Sequence, residues 1–478
     1  SNGYIQNSES KLKISFLGAA QQVTGSMYLL DCRSKKYLVD CGLSYEKDQE
    51  YSENKKFPFD PSEIDAVILT HAHVDHSGNI PTLFTQGFRG AVFCTEPTFE
   101  IVKTLLIDSA NLQMSKANKK RKSKKFKGKI EDEILYSVSE VLETLELFVT
   151  IPFYKTFQLS EKVKFLFSEA GHILGAASVR LEFSENGETK SIGFTGDLGP
   201  NNSQIVVPPK PLENLNYLVM EGTYGNRIKE SKNNPQDELM MHIQKTCLDT
   251  GGRLVIPAFS VGRTQSILFT LNKLYRANRL GSLRIYADSP LGMINTSIHQ
   301  RFQSYLNKNA ISFHEDFGSI FQFPNLYTIE DAEDKEEMDS FGGPSVLVSS
   351  AGMVVGGRVQ QHVRANLKNP QSTILIAGFC APGTLGRELL DNTGKVWING
   401  REHIVYCKMA QTDVFSAHPD LNGLKQYFDS ICEKSHKLEN IFLTHGEKES
   451  LENLKNELNG IKTNLPIDLP KKSQVFDI

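Results

Sequence analysis

The sequence predicts an α/β protein with more than one domain. Short apolar runs rich in Val, Ile and Leu alternate with longer amphipathic stretches along the 478 residues, which is typical of a chain that mixes strands and helices. At roughly 100–200 residues per domain, this length suggests two to four domains. Histidines and carboxylates also gather directly after several predicted strands. Because a rigid scaffold presents polar groups to a pocket from such loops, we expect a functional site there.

The first part of the chain, residues 1–225, is predicted to consist mainly of strands. Apolar and β-branched runs bounded by turn residues predict strands at Lys11–Leu17, Met27–Asp31, Lys36–Asp40, Ile64–Thr70, Val163–Phe167, Ala177–Phe183, Ser191–Thr195 and Tyr217–Glu221. Helical periodicity predicts two helices between them, at Thr95–Ala117 and Glu131–Leu147.

Residues 226–391 show a different alternation, which predicts an inserted domain. Helices are predicted at Gln236–Leu248 and Arg263–Leu274. Strands are predicted between and after them, at Leu254–Pro257, Leu283–Ala287, Val346–Val348 and Thr373–Phe379. This is the βαβ rhythm of a small parallel-sheet domain. Residues 392–478 return to short strands, predicted at Lys395–Ile398, His403–Tyr406 and Ile441–Thr444. Two helices are predicted among them, one from Pro419 onwards and one at Glu447–Leu458.

Composition limits the partners and the location of the protein. The formal net charge is −3, so bulk electrostatics do not favour a polyanion, and nucleic-acid binding needs a local basic surface. No apolar run approaches the roughly 18 residues of a membrane helix, so we expect no membrane partner. The seven cysteines include no Cys-x-x-Cys pair, which predicts reduced thiols and a cytoplasmic location.

The densest group of candidate metal ligands is the segment His71-Ala72-His73-Val74-Asp75-His76. It follows the apolar run Ile64–Thr70, so it lies on a loop at a strand end. Imidazole is the commonest metal ligand, and carboxylate oxygens add charge and bridging capacity. Four such groups this close cannot share one face of a helix or strand, but a tight loop can wrap them around a pair of metals. A surface loop that is histidine-rich by chance is the alternative.

Six further titratable residues lie at or beside strand ends, namely Asp40, His172, Asp197, Glu221, His418 and His445. His172 lies between small residues, and Asp197 lies in Gly196-Asp197-Leu198-Gly199, where the backbone must turn tightly. Three of the six have a structural alternative. In that case Asp40 only forms a turn, and Glu221 is a strand-end carboxylate whose hydrogen bonds are made within the fold. His418 would then only be the neighbour of a helix N-cap.

The pattern H-x-H-x-D-H at residues 71–76 closely resembles the signature of the metallo-β-lactamase superfamily. With the insert and the strand-end residues Glu221, His418 and His445, nearly the whole chain resembles the beta-CASP nucleases, which include the pre-mRNA 3′-end cleavage endonuclease and RNase J. The resemblance implies an αββα metallo-β-lactamase sandwich with an inserted parallel-sheet beta-CASP domain. RNA-acting members keep a histidine at the position of His445, and the compact length resembles the bacterial and archaeal endoribonuclease type.

The resemblance also implies two zinc ions per chain, with Mn²⁺ as an alternative. Carried over residue by residue, the ligands of the first ion are His71, His73, His172 and Asp197. The ligands of the second ion are Asp75, His76, Asp197 and His445. Such a pair lowers the pKa of bound water and neutralises phosphate oxygens during an in-line displacement.

Four residues are expected to assist catalysis beside the metals. Asp40 is expected to orient the metal loop, and Asp75 to steer the attacking hydroxide in addition to binding metal. His418 is the expected proton donor to the leaving 3′ oxygen. Glu221 is expected to hydrogen-bond His418, which fixes its tautomer and favours its protonated form.

Three small-residue loops of the insert resemble loops of the beta-CASP family, and we predict that they contact RNA phosphates. Their candidate residues are Ser260, Arg263 and Thr264 in the first loop, Ser349, Ser350, Gly352 and Arg358 in the second, and Gly383 and Arg387 in the third. Taken alone, each loop is also consistent with a tight turn. The run Lys116–Lys129 holds nine Lys or Arg and no acid, and it is either a solvated helix end or a further RNA contact.

The resemblance therefore implies a zinc-dependent endoribonuclease that hydrolyses single-stranded RNA and leaves 5′-phosphate and 3′-hydroxyl ends. A 5′→3′ exoribonuclease, a DNA nuclease, a small-molecule hydrolase and a catalytically inactive RNA-binding subunit are the alternatives. All seven candidate ligands are present, which argues against the inactive subunit. The sequence leaves open whether the chain forms a homodimer.

Overall fold

The computed structural model describes residues 12–45, 51–123, 125–350, 357–380 and 382–478. Its strands are, in chain order, β1 (Lys13–Gly18), β2 (Met27–Cys32), β3 (Lys35–Val39), β4 (Ala66–Ile68), β5 (Ala91–Cys94), β6 (Phe148–Thr150), β7 (Phe157–Gln158), β8 (Val163–Glu169), β9 (Ala177–Glu185), β10 (Glu188–Phe194), β11 (Tyr217–Glu221), β12 (Arg253–Pro257), β13 (Arg284–Asp288), β14 (Leu326–Thr328), β15 (Ser345–Ser349), β16 (Thr373–Ile376), β17 (Lys395–Ile398), β18 (Arg401–Ile404), β19 (Lys408–Gln411), β20 (Asn440–Thr444), β21 (Ile467–Asp468) and β22 (Gln474–Asp477).

The α-helices are, in chain order, α1 (Val74–Ser77), α2 (Ile80–Thr85), α3 (Glu96–Arg121), α4 (Val138–Leu145), α5 (Pro235–Ile243), α6 (Arg263–Arg276), α7 (Pro290–Arg301), α8 (Lys308–Phe317), α9 (Ala332–Ser340), α10 (Gly357–Leu367), α11 (Leu385–Asp391), α12 (Leu421–Lys434) and α13 (Lys448–Asn459). Short 3₁₀ turns lie at Tyr51–Lys55, Pro61–Glu63, Ile130–Asp132 and Gln303–Tyr305, and a π-helical turn at Gln244–Leu248 extends α5.

Two seven-stranded sheets pack face to face and form the inner layers of a sandwich. The first sheet has the order β22-β1-β2-β3-β4-β5-β6, and the second has the order β21-β20-β11-β10-β9-β8-β7. Aromatic side chains of the two sheets meet between them. The ring of Phe16 lies 5.1 Å from that of Phe442, and the ring of Tyr28 lies 5.6 Å from that of Phe194. Such large buried rings contribute much of a core's stability.

Helices cover the outer faces of both sheets. Ile101 and Leu106 of α3 share one buried cluster with Val67 of the first sheet. Phe428 of α12 and Leu454 of α13 share another with the second sheet. This layering confirms the αββα sandwich that the sequence implied.

Parallel strands form the third sheet, in the order β14-β13-β15-β12-β16-β19. Helices bury both of its faces, because crossovers between parallel strands place helices on each side; Ile267 of α6 belongs to the cluster on one face and Val363 of α10 to the cluster on the other. This confirms the parallel-sheet insert. Since β19 pairs with β16, the sheet continues past residue 391, and the exact domain limits stay a prediction.

The prediction of one helix over Glu131–Leu147 is wrong. The structure has a 3₁₀ turn at Ile130–Asp132 and an α-helix that begins only at Val138. Ser137 caps this helix, since its hydroxyl accepts from the Glu140 N–H while the Glu140 carboxylate accepts from the Ser137 N–H. This capping box marks a helix start, but the apolar residues just before it continue the helical periodicity and hide the boundary.

Several elements lie where the sequence predicts none. Strands β19 and β22 are each four residues long with two apolar residues, a weaker signal than the apolar run that predicts β17. Helices α7 to α11 also fall in stretches without a predicted helix. Strand β22 pairs antiparallel with β1 and closes one edge of the first sheet.

In the described part of the chain, no helix is both long and apolar enough to span a membrane.

Candidate metal centre

Seven titratable side chains meet at one edge of the sandwich, in loops that follow strands of both sheets. These are the predicted ligands His71, His73, Asp75, His76, His172, Asp197 and His445. His71 follows β4, His172 follows β8, and Asp197 follows β10. Several of these side chains are almost completely buried, with Asp197 only 3% exposed and His71 fully enclosed. Burying so many polar groups is unfavourable unless they bind each other or a ligand.

The first group of converging ligand atoms belongs to His71, His73, His172 and Asp197. Nδ1 of His73 lies 3.2 Å from Nε2 of His172. Oδ2 of Asp197 lies 3.5 Å from Nε2 of His71 and 3.6 Å from Nε2 of His172.

The second group belongs to Asp75, His76, Asp197 and His445. The other oxygen of Asp197, Oδ1, lies 3.2 Å from Nε2 of His76 and 3.3 Å from Nε2 of His445. Those two nitrogens lie 3.1 Å apart. Oδ2 of Asp75 completes the group at 3.4 Å from Nε2 of His445. Asp197 thus presents one oxygen to each group, as a carboxylate between two ions does.

These separations fit two tetrahedral metal sites. Ligands at 2.0–2.1 Å from a zinc ion are about 3.3–3.4 Å from each other by tetrahedral geometry, and the two groups have spacings of this size. Among the described residues, Nε2 of His71 and Oδ1 of Asp197 are buried without any hydrogen-bond partner. Buried polar atoms are normally satisfied, so a cation in the first group would account for Nε2 of His71 and a cation in the second group for Oδ1 of Asp197.

Four of the five histidines are oriented in the same way, by hydrogen bonds to their Nδ1 atoms. The partners of Nδ1 are the Thr70 hydroxyl for His71, the Asp40 carboxylate for His76, the Ala417 carbonyl for His172 and the Thr223 hydroxyl for His445. A proton held on Nδ1 leaves the Nε2 lone pair directed into the centre. Such supporting bonds fix the tautomer of metal-binding histidines.

Asp40 occupies the position predicted for an orienting residue. Its backbone is left-handed, with φ 60°, and its carboxylate is 1% exposed. It accepts hydrogen bonds from the backbone N–H of Thr70, the hydroxyl of Thr70 and Nδ1 of His76, at 2.8, 2.8 and 2.7 Å. The Thr70 hydroxyl therefore donates to Asp40 and accepts from Nδ1 of His71. One carboxylate thus orients two of the histidines, one in each ligand group.

Thr70 and Thr223 are site residues that sequence reasoning missed. The Thr223 hydroxyl lies 3.0 Å from both the carbonyl oxygen and Nδ1 of His445. It donates to the carbonyl and accepts from the ring. Thr223 follows Glu221 closely in sequence, which is a weak signal, but its partner His445 lies directly after β20, more than 200 residues away.

We expect Thr223→Val to weaken metal binding at the second group by about 10–100-fold, because loss of the supporting hydroxyl frees the His445 ring. Metal affinity is measured by competition with a chromogenic chelator. Thr246→Val is the matched control, since the buried Thr246 hydroxyl bonds Thr373 instead of a ligand. Equal affinities of both variants for metal would show that Thr223 does not support the centre.

The ionisation states of the first ligand group suit a cation, whereas in the second group the nearby carboxylates outweigh burial and raise the pKa of His76 and of His445, so that a metal there would displace a proton. Burial, with neighbouring His71, lowers the pKa of His73 to about 3. Burial and the nearby His418 hold the pKa of His172 well below its usual value. Burial alone would raise the pKa of Asp197, but the surrounding imidazoles lower it well below its ordinary value. Neutral imidazole and ionised carboxylate are the forms that bind metals.

His418 and Glu221 form a second unit beside the ligands. Nδ1 of His418 donates to Oε1 of Glu221 at 2.9 Å. Burial lowers the pKa of His418, but the charge and hydrogen bond of Glu221 outweigh it and raise that pKa above its ordinary value. The His418 ring lies 4.6 Å from the ring of His172 and 5.4 Å from that of Tyr224. This places His418 against the first ligand group.

A cleft of about 1060 Å³ opens between the sandwich and the insert, with His418 in its wall. Its charged lining is mixed, with the cationic side chains of Arg227, Lys229, Lys232 and Arg387 and the acidic side chains of Glu230, Glu238, Asp413 and Asp420. The guanidinium of Arg227 lies 3.7 Å over the ring of Phe379. The loops after β12, β16 and β19 meet at this side, because the carboxyl ends of parallel strands share one sheet edge.

The three loops that are predicted to contact phosphates differ in how their candidate residues are bonded and which cavities they line. In the first, the Thr264 hydroxyl donates to the Phe259 carbonyl, the Ser260 carbonyl accepts from Gln265, and Arg263 lines a small cavity with His172. Thr264 and Gln265 are buried. Arg263 is therefore the candidate of this loop that lies beside a predicted ligand of the first group.

In the second loop, the predicted cation is already paired. Arg358 donates to Asp288 at 2.6 Å, and the Ser349 hydroxyl donates to the Asp288 carbonyl. The Ser350 hydroxyl contacts that of Ser289. Gly352 lies outside the described residues. These contacts hold the loop to β13.

In the third loop, Gly383 has a left-handed backbone, with φ 83°, just before α11. Arg387 lines the cleft and pairs with Asp391 at 3.2 Å. The described residues of the basic run 116–129 lie elsewhere, at the carboxyl end of α3, where Lys120 pairs with Glu133, and after it.

Three family models match successive parts of the chain. The metallo-beta-lactamase superfamily matches residues 21–232, the Beta-Casp domain matches residues 264–389, and the Zn-dependent metallo-hydrolase RNA specificity domain matches residues 402–469. Ribonuclease TTHA0252 of Thermus thermophilus is 30% identical over 441 residues, which cover 92% of this chain and 94% of that protein. The chain belongs to the beta-CASP family of the metallo-β-lactamase superfamily. The resemblance seen in the sequence is thereby confirmed.

Other relatives of this beta-CASP protein come from archaea. The RNase J-like protein of Methanocaldococcus jannaschii is 30% identical over 91% of this chain and 92% of that protein. Transcription termination factor FttA of Methanosarcina mazei is 28% identical over 92% of this chain and 67% of that protein. A crystal structure of a protein of unknown function from Enterococcus faecalis V583 has the same fold, with a TM-score of 0.55, 13% identity and coverage of 98% of this chain and 100% of that one.

Proposed function

We propose that this beta-CASP protein is a zinc-dependent endoribonuclease that cuts single-stranded RNA and leaves 5′-phosphate and 3′-hydroxyl ends. The observation that carries the proposal is the geometry of Asp197, which directs one carboxylate oxygen to each of two ligand groups while His418 faces the cleft beside them. Two adjacent cations next to a proton donor suit phosphodiester hydrolysis. Relatives named ribonuclease and RNase J-like support RNA as the substrate.

The two ligand groups would hold one divalent ion each. Bound there, zinc supplies the acidity that ionises a water near neutral pH and the positive charge that neutralises phosphate oxygens. The five ligand histidines favour zinc, although the carboxylates also tolerate manganese. Among the ligand side chains, Asp75 is 24% exposed, far more than the buried Asp197. Asp75 can therefore accept a hydrogen bond from the attacking water and steer it.

His418 is the proton donor to the leaving 3′ oxygen in this proposal. Its Nδ1–H is held by Glu221, so the proton that can move is on Nε2, the atom free to face the substrate. Glu221 is itself fixed by the backbone N–H groups of Leu198 and Thr223, at 2.9 and 3.0 Å. A general acid of this kind contributes about 10²–10⁴-fold to the rate.

The cleft favours single-stranded RNA. The arginines Arg227 and Arg387 in its lining offer donors to phosphates, and its position between two domains would bring the strand past His418. A-form duplexes are recognised mainly by shape from the outside, whereas single strands thread such grooves. A cytoplasmic location is part of the proposal, and the seven unpaired cysteines support it.

The test uses a circular single-stranded RNA, which has no ends, beside its linear form labelled at the 5′ end. We expect the zinc-loaded protein to cut both, and product analysis to give 5′-phosphate and 3′-hydroxyl ends. Cutting of the linear RNA alone would contradict the endonuclease and favour a 5′→3′ exoribonuclease. Cutting of single-stranded DNA at a similar rate would contradict the RNA preference.

The remaining alternatives give different results in the same assay. Two metals bound per chain without cutting of any RNA would favour a catalytically inactive RNA-binding subunit. A chain without bound metal would contradict the proposed centre. Metal content is measured on the purified protein before the assay, so the outcomes are distinguishable.

A further inference from the structure

Two aromatic rings line the cleft beside His418, and one flat cationic group contacts both of them. Tyr224 comes shortly after β11 of the sandwich, and Phe379 shortly after β16 of the insert. The guanidinium carbon of Arg227 lies 3.7 Å from the ring centre of Phe379 and 5.3 Å from that of Tyr224. A planar side chain is therefore stacked where the two domains face each other.

The contacts that hold the Arg227 side chain on these rings are weak. The residue is exposed to solvent, and its guanidinium forms no hydrogen bond or ion pair with the described residues. Its backbone is anchored instead, since the Arg227 N–H donates to the Tyr224 carbonyl at 3.1 Å. Because a cation–π contact at an exposed site stabilises little, the guanidinium can leave the rings while the backbone stays in place.

The ring of Phe379, by contrast, is fixed by its neighbours in the chain. Ala377 and Cys380 are each 1% exposed and belong to the buried clusters on the two faces of the third sheet. The carbonyl of Gly378 accepts from the side-chain amide of Gln411, which belongs to β19, at 2.9 Å. The half-buried ring is thus held at the cleft before any substrate arrives, and binding to it costs little conformational entropy.

A place that holds a flat group against two rings suits a nucleobase. Proteins bind the unstacked bases of single-stranded RNA on the rings of Phe and Tyr and on guanidinium planes. The guanidinium is itself planar, so a base can occupy the same place after Arg227 has moved aside. The rings would then recognise the face of a base and not the charge of a phosphate.

The neighbourhood of His418 selects one base of the strand. The ring of Tyr224 lies 5.4 Å from that of His418 and meets it at 74°. In the proposed function His418 protonates the leaving 3′ oxygen, so the nucleotide that carries this oxygen lies beside it. We call this the upstream nucleotide, and its base is the one closest to the two rings.

We infer that the base of the upstream nucleotide stacks on Phe379 and Tyr224, in the place that the Arg227 guanidinium occupies in the free protein. This inference rests on the proposed function and adds a base-binding site to it. Stacking accepts every base because each has a flat face. Purines have the larger faces, so RNA with a purine at the upstream nucleotide should be cut faster than the same RNA with a pyrimidine there.

Phe379 is the ring to change, because loss of Tyr224 would also disturb His418. Phe379→Leu keeps an apolar side chain but removes the flat face, and Phe379→Tyr keeps the ring. Phe341→Leu is the matched control. The guanidinium of Arg284 lies 4.1 Å from the ring centre of Phe341 and 5.4 Å from that of Tyr327, which is the same arrangement outside the cleft.

The decisive experiment removes single bases from the RNA. Abasic nucleotides replace one nucleotide at a time on both sides of the cleaved bond, and kcat/KM is measured for the zinc-loaded wild type and the three variants. We expect the abasic upstream nucleotide to lower the wild-type value by about 5–150-fold, as for a lost stacking contact. Phe379→Leu should show a loss of this size on unmodified RNA and little further loss with that abasic nucleotide. Phe379→Tyr and Phe341→Leu should behave like the wild type.

A second measurement does not require cleavage. The fluorescent base 2-aminopurine is placed at the upstream nucleotide, and its fluorescence falls when it stacks on an aromatic ring. We expect binding to the wild type, Phe379→Tyr and Phe341→Leu to quench it strongly, and binding to Phe379→Leu to quench it much less.

The outcomes separate this inference from the proposed function. Coupling between Phe379 and the upstream base supports the inference. If RNA is cut but the abasic upstream nucleotide slows Phe379→Leu and the wild type equally, or if the coupled base lies on the other side of the cleaved bond, only this inference is overturned. If 2-aminopurine is quenched through Phe379 but no RNA is cut, the proposed function falls and the base-binding site stands. If neither occurs, both fall.

Discussion

Asp197→Asn is expected to abolish metal binding at both ligand groups and to lower RNA cleavage by at least about 10³-fold, since the two ions supply several kcal/mol of transition-state stabilisation. Each carboxylate oxygen of Asp197 faces a different group, at 3.2–3.6 Å from their imidazole nitrogens. An amide offers only one acceptor oxygen, and its NH₂ repels a cation. One change should therefore affect both ions at once.

Metal content per chain, measured by mass spectrometry of the purified protein, checks this prediction independently of activity. Asp288→Asn is the control, because Asp288 is also fully buried but pairs with Arg358 and His362. The Asp288→Asn variant should unfold more easily than the wild type but keep both metal ions. Retention of two ions by Asp197→Asn would contradict the bridging arrangement, even if activity were lost.

His418→Ala is expected to lower the cleavage rate by about 10²–10⁴-fold, the usual contribution of a general acid, while metal content and RNA affinity stay unchanged. His418 is absent from both ligand groups, and its one strong hydrogen bond is to Glu221. Glu221→Gln should cause a smaller loss, because the histidine remains but the charge that favours its protonated form is gone.

An RNA with sulfur in place of the leaving 3′ oxygen tests the role of His418 directly. A thiolate leaves without a proton, so the rate of His418→Ala on this substrate should approach that of the wild type. Asp197→Asn is the comparison, since its defect lies in the metals and should persist with either leaving group. A defect of His418→Ala that is equally large on both substrates would show that the residue does not act as the proton donor.

The sequence predicts most of the fold because the information for it is local. Runs of alternating or continuous apolar residues mark the strands of the sandwich and of the insert, and the segment His71–His76 concentrates its polar side chains within six positions. His172, Asp197 and His445 each follow a predicted strand. Because strand ends meet at one edge of the fold, these three side chains can be expected to lie close to one another there. Elements without a local signal, such as the four-residue strand Gln474–Asp477, are missed.

Pairings between distant positions cannot be predicted in the same way. The hydroxyl of Thr223 meets the ring of His445 across 222 positions, and nothing near either residue indicates the other. Arginines show the same limit. Arg358 and Arg263 both lie in loops of small residues, yet Arg358 is paired with Asp288, whereas no carboxylate of the described residues pairs with Arg263. Whether a cation is available to a substrate depends on which acid the fold brings beside it.

The two ligand groups also differ in when they can form during synthesis of the chain. All members of the first group lie within residues 71–197, so a nascent chain contains them before the insert is translated. The second group needs His445, which arrives only after the insert and strand β20. Contacts of such long sequence separation form late in folding. A ribosome-bound or prematurely ended chain therefore lacks the complete centre, and the activity proposed above would require a chain whose synthesis is nearly finished.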